Sequence, residues 1–225
     1  MFPVEQPERA AFLEAFPVSH ETVRKLDRYA ELLGEWSQKF NLVAESTLPH
    51  IWQRHFLDSA QLLRHLPEKS GTLVDIGSGA GFPGLVLSIM GVSNIHLVES
   101  IGKKARFLQA VIDELGLGAT LHHDRVENIK TIKADIITAR AVGSLDDLLK
   151  LIKPIAKPET IGLFLKGKNI DSELTESKKS WTFVHQCLPS LSDDSGNILI
   201  VRHIKAKNDG RFQRIQKKHK PRPQS

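Results

Sequence analysis

Residues Leu73 to Gly84 read Leu-Val-Asp-Ile-Gly-Ser-Gly-Ala-Gly-Phe-Pro-Gly, an apolar strand-type run opening into a turn with Gly77, Gly79 and Gly81 at alternate positions. Glycine enters left-handed backbone conformations without steric cost and lets a ligand lie against the main chain. Pro83 suits the first turn of a following helix. The run therefore predicts strand, tight turn and helix, the opening of a βαβ unit. Glu99 closes the next apolar run, His96-Leu97-Val98. A carboxylate at the end of a second strand is placed to accept hydrogen bonds from a ribose diol. A ligand-free turn is the plain alternative, but glycines this dense weaken a fold that gains nothing from them.

Elements on either side extend this pattern. Ser19 is a candidate N-cap before a stripe of Val23, Leu26, Tyr29, Leu32, Leu33, Trp36 and Phe40, whose steps of three and four predict an amphipathic helix. A second stripe after Thr47 (Ile51, Trp52, Phe56, Ala60, Leu63, Leu66) predicts another helix, ended by Pro67 to Gly71. From Thr72 the period changes. Strand-like runs at 72–76, 94–98, 119–122, 135–138, 161–165, 182–188 and 197–201 are interleaved with helix-like segments at 83–90, 103–115, 144–152 and 170–179. Strands separated by helices predict a parallel sheet. The last two runs are joined by the polar linker Pro189–Gly196 and predict an antiparallel hairpin at the sheet edge. The expected organisation is a helical cap over 1–70, an α/β domain over 71–205 and a basic tail over 206–225.

Charge is unevenly placed. The 225 residues carry a formal net charge of +5, with 31 Lys+Arg against 26 Asp+Glu. Val201–Ser225 holds nine Lys/Arg and one acid, Asp209, so the tail alone carries +8 and the remainder 22 − 25 = −3. Such a tail is expected to be extended or disordered without a partner, and to meet a polyanion, nucleic acid or an anionic membrane surface. A solubilising end is the alternative. Ile76–Val98 contains no Asp, Glu, Lys or Arg, but its glycines, serines and Pro83 exclude a membrane-crossing helix. Cys187 is the single cysteine, so no intrachain disulfide can form, which suits a reducing compartment. The start, Met1-Phe2-Pro3-Val4-Glu5, has neither a basic region nor an apolar core, and no signal peptide is expected. These features predict a cytoplasmic location. His122-His123-Asp124 and His185-x-Cys187 lack zinc-type ligand spacing, and no metal is expected.

The glycine string fits two cofactor patterns. Gly79 to Gly84 matches G-x-G-x-x-G of dinucleotide-binding proteins. Asp75 to Gly81 matches Asp-x-Gly-x-Gly-x-Gly of S-adenosylmethionine-dependent methyltransferases. The acid at Asp75 favours the second: it can help hold an ammonium group, often through water, where a pyrophosphate would be repelled. The terminal hairpin points the same way, and no chain is left over for a dehydrogenase substrate domain.

Blocks along almost the whole chain then become specific. They are Trp36 with Phe40-Asn41-Leu42, Arg54-His55-Phe56-Leu57-Asp58-Ser59, Asp75 to Gly84, Val98-Glu99-Ser100 with Lys103-Lys104-Ala105-Arg106-Phe107-Leu108, Arg125-Val126-Glu127, Thr138-Ala139-Arg140-Ala141 and Leu165-Lys166-Gly167. With these the chain resembles the bacterial 16S rRNA guanine-N7 methyltransferase family, also called glucose-inhibited division protein B. Ser37, the order Lys104-Ala105 and the composition of the tail depart from the family's usual pattern. The resemblance implies a Rossmann-like α/β fold, a seven-stranded class I methyltransferase sheet with an N-terminal helical cap. It implies methyl transfer from S-adenosyl-L-methionine to N7 of a guanine in the 530 loop of 16S rRNA, at guanine 527. The partner is then 16S rRNA or the small ribosomal subunit. A non-catalytic RNA-binding or ribosome-assembly protein on the same fold is the second reading, and an NAD-dependent dehydrogenase the third.

Under this resemblance Asp75, Gly77, Gly79, Gly81, Phe82, Glu99, Val126, Glu127 and Arg140 are the expected cofactor-binding residues. Phe82 packs beside the ligand, Glu99 binds the ribose, and Val126 and Glu127 flank the adenine. Glu99 can instead be a solvated loop acid, and 126–127 a plain loop. Arg140, ending the fourth strand, can reach a cofactor carboxylate or an RNA phosphate, or form a structural ion pair. Lys166, ending the fifth, can hold a phosphate or be simply solvated. These two are the candidates for a catalytic role, though no general base is required. His55 and Asp58, three apart on one helix face, together with Arg54, either order the cap over the cofactor or serve core and salt-bridge roles.

Overall fold

The computed structural model describes residues 6–68 and 71–207. The basic tail, apart from its first two residues, lies outside the described residues. The chain opens with α1 (Gln6–Ala15) and α2 (His20–Ser37), and the Ser19 hydroxyl caps α2 by accepting from the Thr22 amide at 3.1 Å. Of the predicted stripe, Leu26, Tyr29, Leu32 and Leu33 are buried.

The second stripe is helical but not one α-helix. A π-helical turn, Trp52–Leu57, passes into α3 (Asp58–Ala60) and then a 3-10 segment, Gln61–His65. The tightening pitch shifts the buried face, so that Leu62 is fully buried where the sequence period places Leu63. π turns are rare and concentrate at functional sites. This one carries Arg54 and His55 and leads directly into Asp58.

From here βα units follow: β1 (Leu73–Ile76), α4 (Gly84–Ile89), β2 (Ile95–Val98), α5 (Gly102–Leu115), β3 (Thr120–His122), β4 (Ala134–Arg140), α6 (Leu145–Ile152), β5 (Ala156–Lys166), α7 (Ile170–Ser180), β6 (Trp181–Pro189) and β7 (Asn197–Ala206). They form one seven-stranded sheet in the order β3-β2-β1-β4-β5-β7-β6. All pairings are parallel except those of β7, which runs antiparallel to both β5 and β6. The predicted terminal hairpin is there, and β5 and β7 are longer than their apolar runs. Pro83 stands at the N-cap position, one residue before α4.

Alternate strand residues feed opposite faces of the sheet. Leu73, Leu97, Ile136 and Leu163 join Phe12, Tyr29, Trp52, Phe56 and Phe107 in one buried cluster. Val74, Ile137, Phe164 and Leu199 join Leu148, Ile152 and Leu174 in the other. The cap helices thus share a core with the sheet. Strand order reverses between β1 and β4, and open α/β sheets bind ligands beside that switch, at the carboxyl ends of the strands.

Candidate active site

The chain leaves β1 at the switch through Gly77 and Gly79, at φ +62° and +59°. A Cβ on Gly79 would meet only the Gly77 carbonyl oxygen, at 3.7 Å, so this side of the loop is open. A Cβ on Gly81 would lie 2.4 Å from Leu85 Cδ1 and 2.5 Å from the Tyr29 hydroxyl. One glycine faces free space and the other faces the core. The Tyr29 hydroxyl donates to the Ala80 carbonyl, tying the cap to the loop.

Two carboxylates hold this loop. Asp75 is fully buried and accepts from Thr138 Oγ1 at 2.7 Å and from the Gly84 amide at 3.2 Å. Burial pushes its pKa up to about 6, against the lowering effect of hydrogen bonds from Thr138, Ser78 and Gly84 and of the Arg140 charge. Glu99, 4% exposed, accepts from the Gly79 amide at 2.8 Å and from the Ile101 amide at 2.7 Å. Each of its oxygens so receives one backbone donor. A carboxylate has about four lone-pair sites, so two remain for a diol. An open glycine flank beside a half-occupied buried carboxylate fits a nucleoside-bearing cofactor.

The other expected residues divide. Phe82 is buried against the cap, its ring 5.4 Å from Tyr29 and stacked on His55 at 4.6 Å and 12°. Val126 is buried in the same core cluster as Val98 and Ile76, while Glu127 is exposed and pairs with Arg125 at 3.2 Å. Lys166 is turned away from solvent: its side chain is 7% exposed, and its ammonium meets Glu173 at 2.6 Å and the Gly143 carbonyl at 3.1 Å.

Arg140 makes its hydrogen bonds to the cap rather than to the glycine loop's carboxylates. Its guanidinium lies 4.7 Å from the Phe82 ring centre. Nη1 donates to Asp58 Oδ2 at 3.3 Å and to the Arg54 carbonyl at 3.2 Å. Nη2 and Nε have no protein partner among the described residues. The chain turns out of β4 at Ala141, whose φ of +54° is a left-handed conformation costing an alanine roughly 1–2 kcal/mol. Strain of this kind gathers at functional sites.

Arg140 opens onto a cavity of about 430 Å³ between the cap, the ends of β4 and β5, and the β6–β7 loop, lined among others by Arg54, His55, Asp58, Ser192 and Asn197. Its charges are balanced: Arg54 pairs with Asp193 at 2.7 Å and Arg140 with Asp58. His55 is neutral, since burial first, then the Arg140 and Arg54 charges, lower its pKa to about 3. Its tautomer follows from its neighbours. The Thr47 hydroxyl donates to the Ala44 carbonyl at 2.7 Å, so it accepts from His55 Nε2–H at 2.8 Å. Nδ1 is then the bare nitrogen, buried without a partner among the described residues. A histidine so fixed is no proton shuttle.

Sequence reasoning missed several of these groups. Thr138 lies in a block already singled out, and only the β1–β4 register, which sets it beside Asp75, gives it a role. Ser192, Asp193 and Asn197 come from the polar linker and its end and carried no signal. Among the described residues no cluster of three or more His, Cys, Asp or Glu could hold a metal, and no helix is long and apolar enough to cross a membrane.

Residues 22–199 match the family model described as GidB, rRNA small subunit methyltransferase G. The chain belongs to this family. A ribosomal RNA small subunit methyltransferase G from Hyphomonas neptunium is 45% identical over 206 residues, covering 91% of this chain and 99% of the relative. One from Rhodospirillum centenum is 48% identical over 193 residues, covering 86% and 89%. Among solved structures, a SAM-dependent methyltransferase from Aquifex aeolicus superposes with a TM-score of 0.55 at 16% identity, covering 74% of this chain and 97% of that one. A ribosomal protein L11 methylase from Lactobacillus delbrueckii subsp. bulgaricus does so with a TM-score of 0.52 at 15% identity, covering 64% and 76%. At those identities the likeness is one of fold, a methyltransferase sheet. The methyltransferase G match spans both the glycine loop and the charged cavity.

Proposed function

We propose that this S-adenosylmethionine-dependent rRNA methyltransferase modifies N7 of a guanine in the 530 loop of 16S rRNA, with the base seated in the cavity beside Arg140. Family membership decides between the two readings of the glycine string: it is a methyltransferase loop, not a dehydrogenase loop. Gly77, Gly79, Gly81 and Glu99 would hold the cofactor, with Asp75 beneath the loop and Val126 and Glu127 beside the adenine. When bound, S-adenosylmethionine supplies a methyl group on a sulfonium, open to attack by a lone pair.

Guanine N7 carries such a lone pair at neutral pH, so no residue has to remove a proton. The protein's task is alignment. The cavity is consistent with that task. Its histidine is neutral with a fixed tautomer, and its two arginines are each paired, which suits an uncharged base better than a phosphate. The observation that carries the reading is Arg140: held over Phe82 by one nitrogen, it leaves two others to donate to an acceptor such as guanine O6. Lys166, locked to Glu173, is assigned a structural role. The substrate is 16S rRNA, free or within the small subunit, and the setting is the cytoplasm.

Incubation of 16S rRNA and of small subunits lacking the modification with the protein and S-adenosylmethionine, followed by mass spectrometry of RNA fragments, tests this. The expected product is one added methyl on a 530-loop guanine, with the alkali lability of 7-methylguanine. RNA binding without methyl transfer would return the chain to the non-catalytic reading.

A further inference from the structure

The Arg-His-Phe-Leu-Asp-Ser block of the cap brings one carboxylate, Asp58, to the meeting point of three distant segments. Oδ1 accepts from Ser192 Oγ of the β6–β7 loop at 2.8 Å and from Gln61 Nε2 of the cap at 3.0 Å. Gln61 in turn accepts from the Leu191 amide at 2.7 Å and donates to Ser190 Oγ at 3.0 Å. Oδ2 accepts from Arg140 Nη1 at the end of β4, at 3.3 Å. The side chains of Arg140 and Asp58 are only 20% and 17% exposed, so this pair is little screened by solvent. Cap, loop and strand are the walls of the cavity, and one carboxylate fastens all three.

We infer that Asp58 is the positioning residue of the acceptor site: it orients the Arg140 guanidinium for the incoming base and fastens the β6–β7 loop as the cavity's outer wall. The inference rests on the reading of that cavity as the acceptor site. Arg140 has no other side-chain hydrogen-bond or ion-pair partner among the described residues to fix its direction. Its remaining bond goes to a carbonyl from the same nitrogen, and its contact with Phe82 sets a distance rather than a rotation. Two of its nitrogens stay free for a ligand because the third is engaged by Asp58.

The Asp58→Asn variant separates the two tasks. The amide oxygen can keep the bonds from Ser192 and Gln61, while the amide nitrogen turns a donor toward the Arg140 donor and releases it. Affinity is measured for an RNA hairpin carrying the 530-loop sequence, with S-adenosylhomocysteine present, for wild type, Asp58→Asn, Arg140→Gln and the double variant. KM and kcat for methylation are measured alongside, and melting temperatures establish that each variant is folded. Asp58→Asn is expected to weaken RNA binding and raise KM by about tenfold, with kcat within about threefold and cofactor affinity unchanged. In the Arg140→Gln background it is expected to add nothing, because its effect runs through Arg140. Full additivity of the two changes would overturn the inference. Should Asp58→Asn be unfolded at the assay temperature, the same cycle is run with Asp58→Glu, which keeps the charge but displaces the carboxylate. A wild type that binds the hairpin without methylating it would refute the proposed function while the binding cycle still decides the role of Asp58. A wild type that does not bind would overturn both.

Discussion

The two halves of the proposed site, one for the cofactor and one for the acceptor base, are built on opposite plans. In the cofactor half, buried carboxylates grip backbone amides: Asp75 holds Gly84, and Glu99 holds Gly79 and Ile101. Main-chain donors fix the shape, and substitutions there act on the loop itself. In the acceptor half, side chains grip side chains: Arg54 meets Asp193, and Asp58 meets Arg140, Ser192 and Gln61. The first plan makes a cradle that presents backbone to a ligand. The second makes an adjustable wall with spare donors on one guanidinium. A cofactor common to many enzymes calls for the former and a particular RNA for the latter.

The sharpest way to break this contrast lies in two neighbouring glycines. Gly79→Val places its side chain in the open flank at φ +59°, a strain of at least roughly 1–2 kcal/mol, and calorimetry should detect no binding of S-adenosylhomocysteine to a protein that is weakened but still folded. Gly81→Val drives a side chain into Leu85 and Tyr29 and should cost the fold instead, read as a collapse of the melting temperature. Retained binding by folded Gly79→Val would mean the cofactor lies elsewhere.

Glu99→Ala comes next. It removes a carboxylate from two amides and, in the proposed site, from the ribose, and cofactor affinity should fall by roughly 1.5–3 kcal/mol, the scale of a hydrogen bond to a charged group. RNA affinity in the absence of cofactor should not move.

Asp75 offers a pH test. The unfolded carboxyl ionises near 3.8 and the folded one near about 6. Above pH 6 both states are charged and the folded state carries the full cost of the buried charge, up to roughly 3 kcal/mol. As pH falls from 6 towards 3.8 the folded protein takes up a proton that the unfolded chain does not, and the cost disappears. Asp75→Asn can keep both hydrogen bonds, with the Thr138 hydroxyl turning to accept. It should therefore stabilise the cofactor-free protein at pH 7, on the order of 1–2 kcal/mol, with the gain vanishing near pH 4. Denaturant unfolding at several pH values checks this, and a gain that grows in acid would contradict it.

The smallest expected effect concerns the tail. Deleting Asp209–Ser225 removes Arg211, Arg214, Lys217, Lys218, Lys220 and Arg222. If about four of these touch phosphates, the log–log salt slope of RNA binding should become shallower by about 3, at ~0.7 per contact for single strands. Cofactor affinity should stay as it is, and an unchanged slope would leave the tail a solubilising end.

The same contrast explains what the sequence disclosed. The cofactor half is contiguous: Asp75 to Gly84 is one strand, turn and helix start, and Glu99 ends the next strand, so local pattern rules reach it. The acceptor half joins residues 82, 134 and 139 positions apart, in Asp58–Arg140, Asp58–Ser192 and Arg54–Asp193. No periodicity encodes such pairs. Lys166 illustrates the difficulty: a lysine at a strand end suggests a phosphate, yet Glu173 in the first turn of α7 claims it. His55 reads as a cap-ordering or a core residue, and only its burial and the Thr47–Ala44 bond show that it is held neutral in the core with Nε2 protonated. The π turn escaped notice because its stripe of apolar residues is equally well written by an α-helix.

Whether the halves are truly separate turns on Arg140, which the sequence allowed to serve either one. Titration of S-adenosylhomocysteine into the Arg140→Gln variant by calorimetry tests the division directly. If Arg140 belongs to the acceptor half, the cofactor dissociation constant stays within about threefold of wild type. A loss of about tenfold or more, ~1.4 kcal/mol, would place the guanidinium on the cofactor and contradict the division.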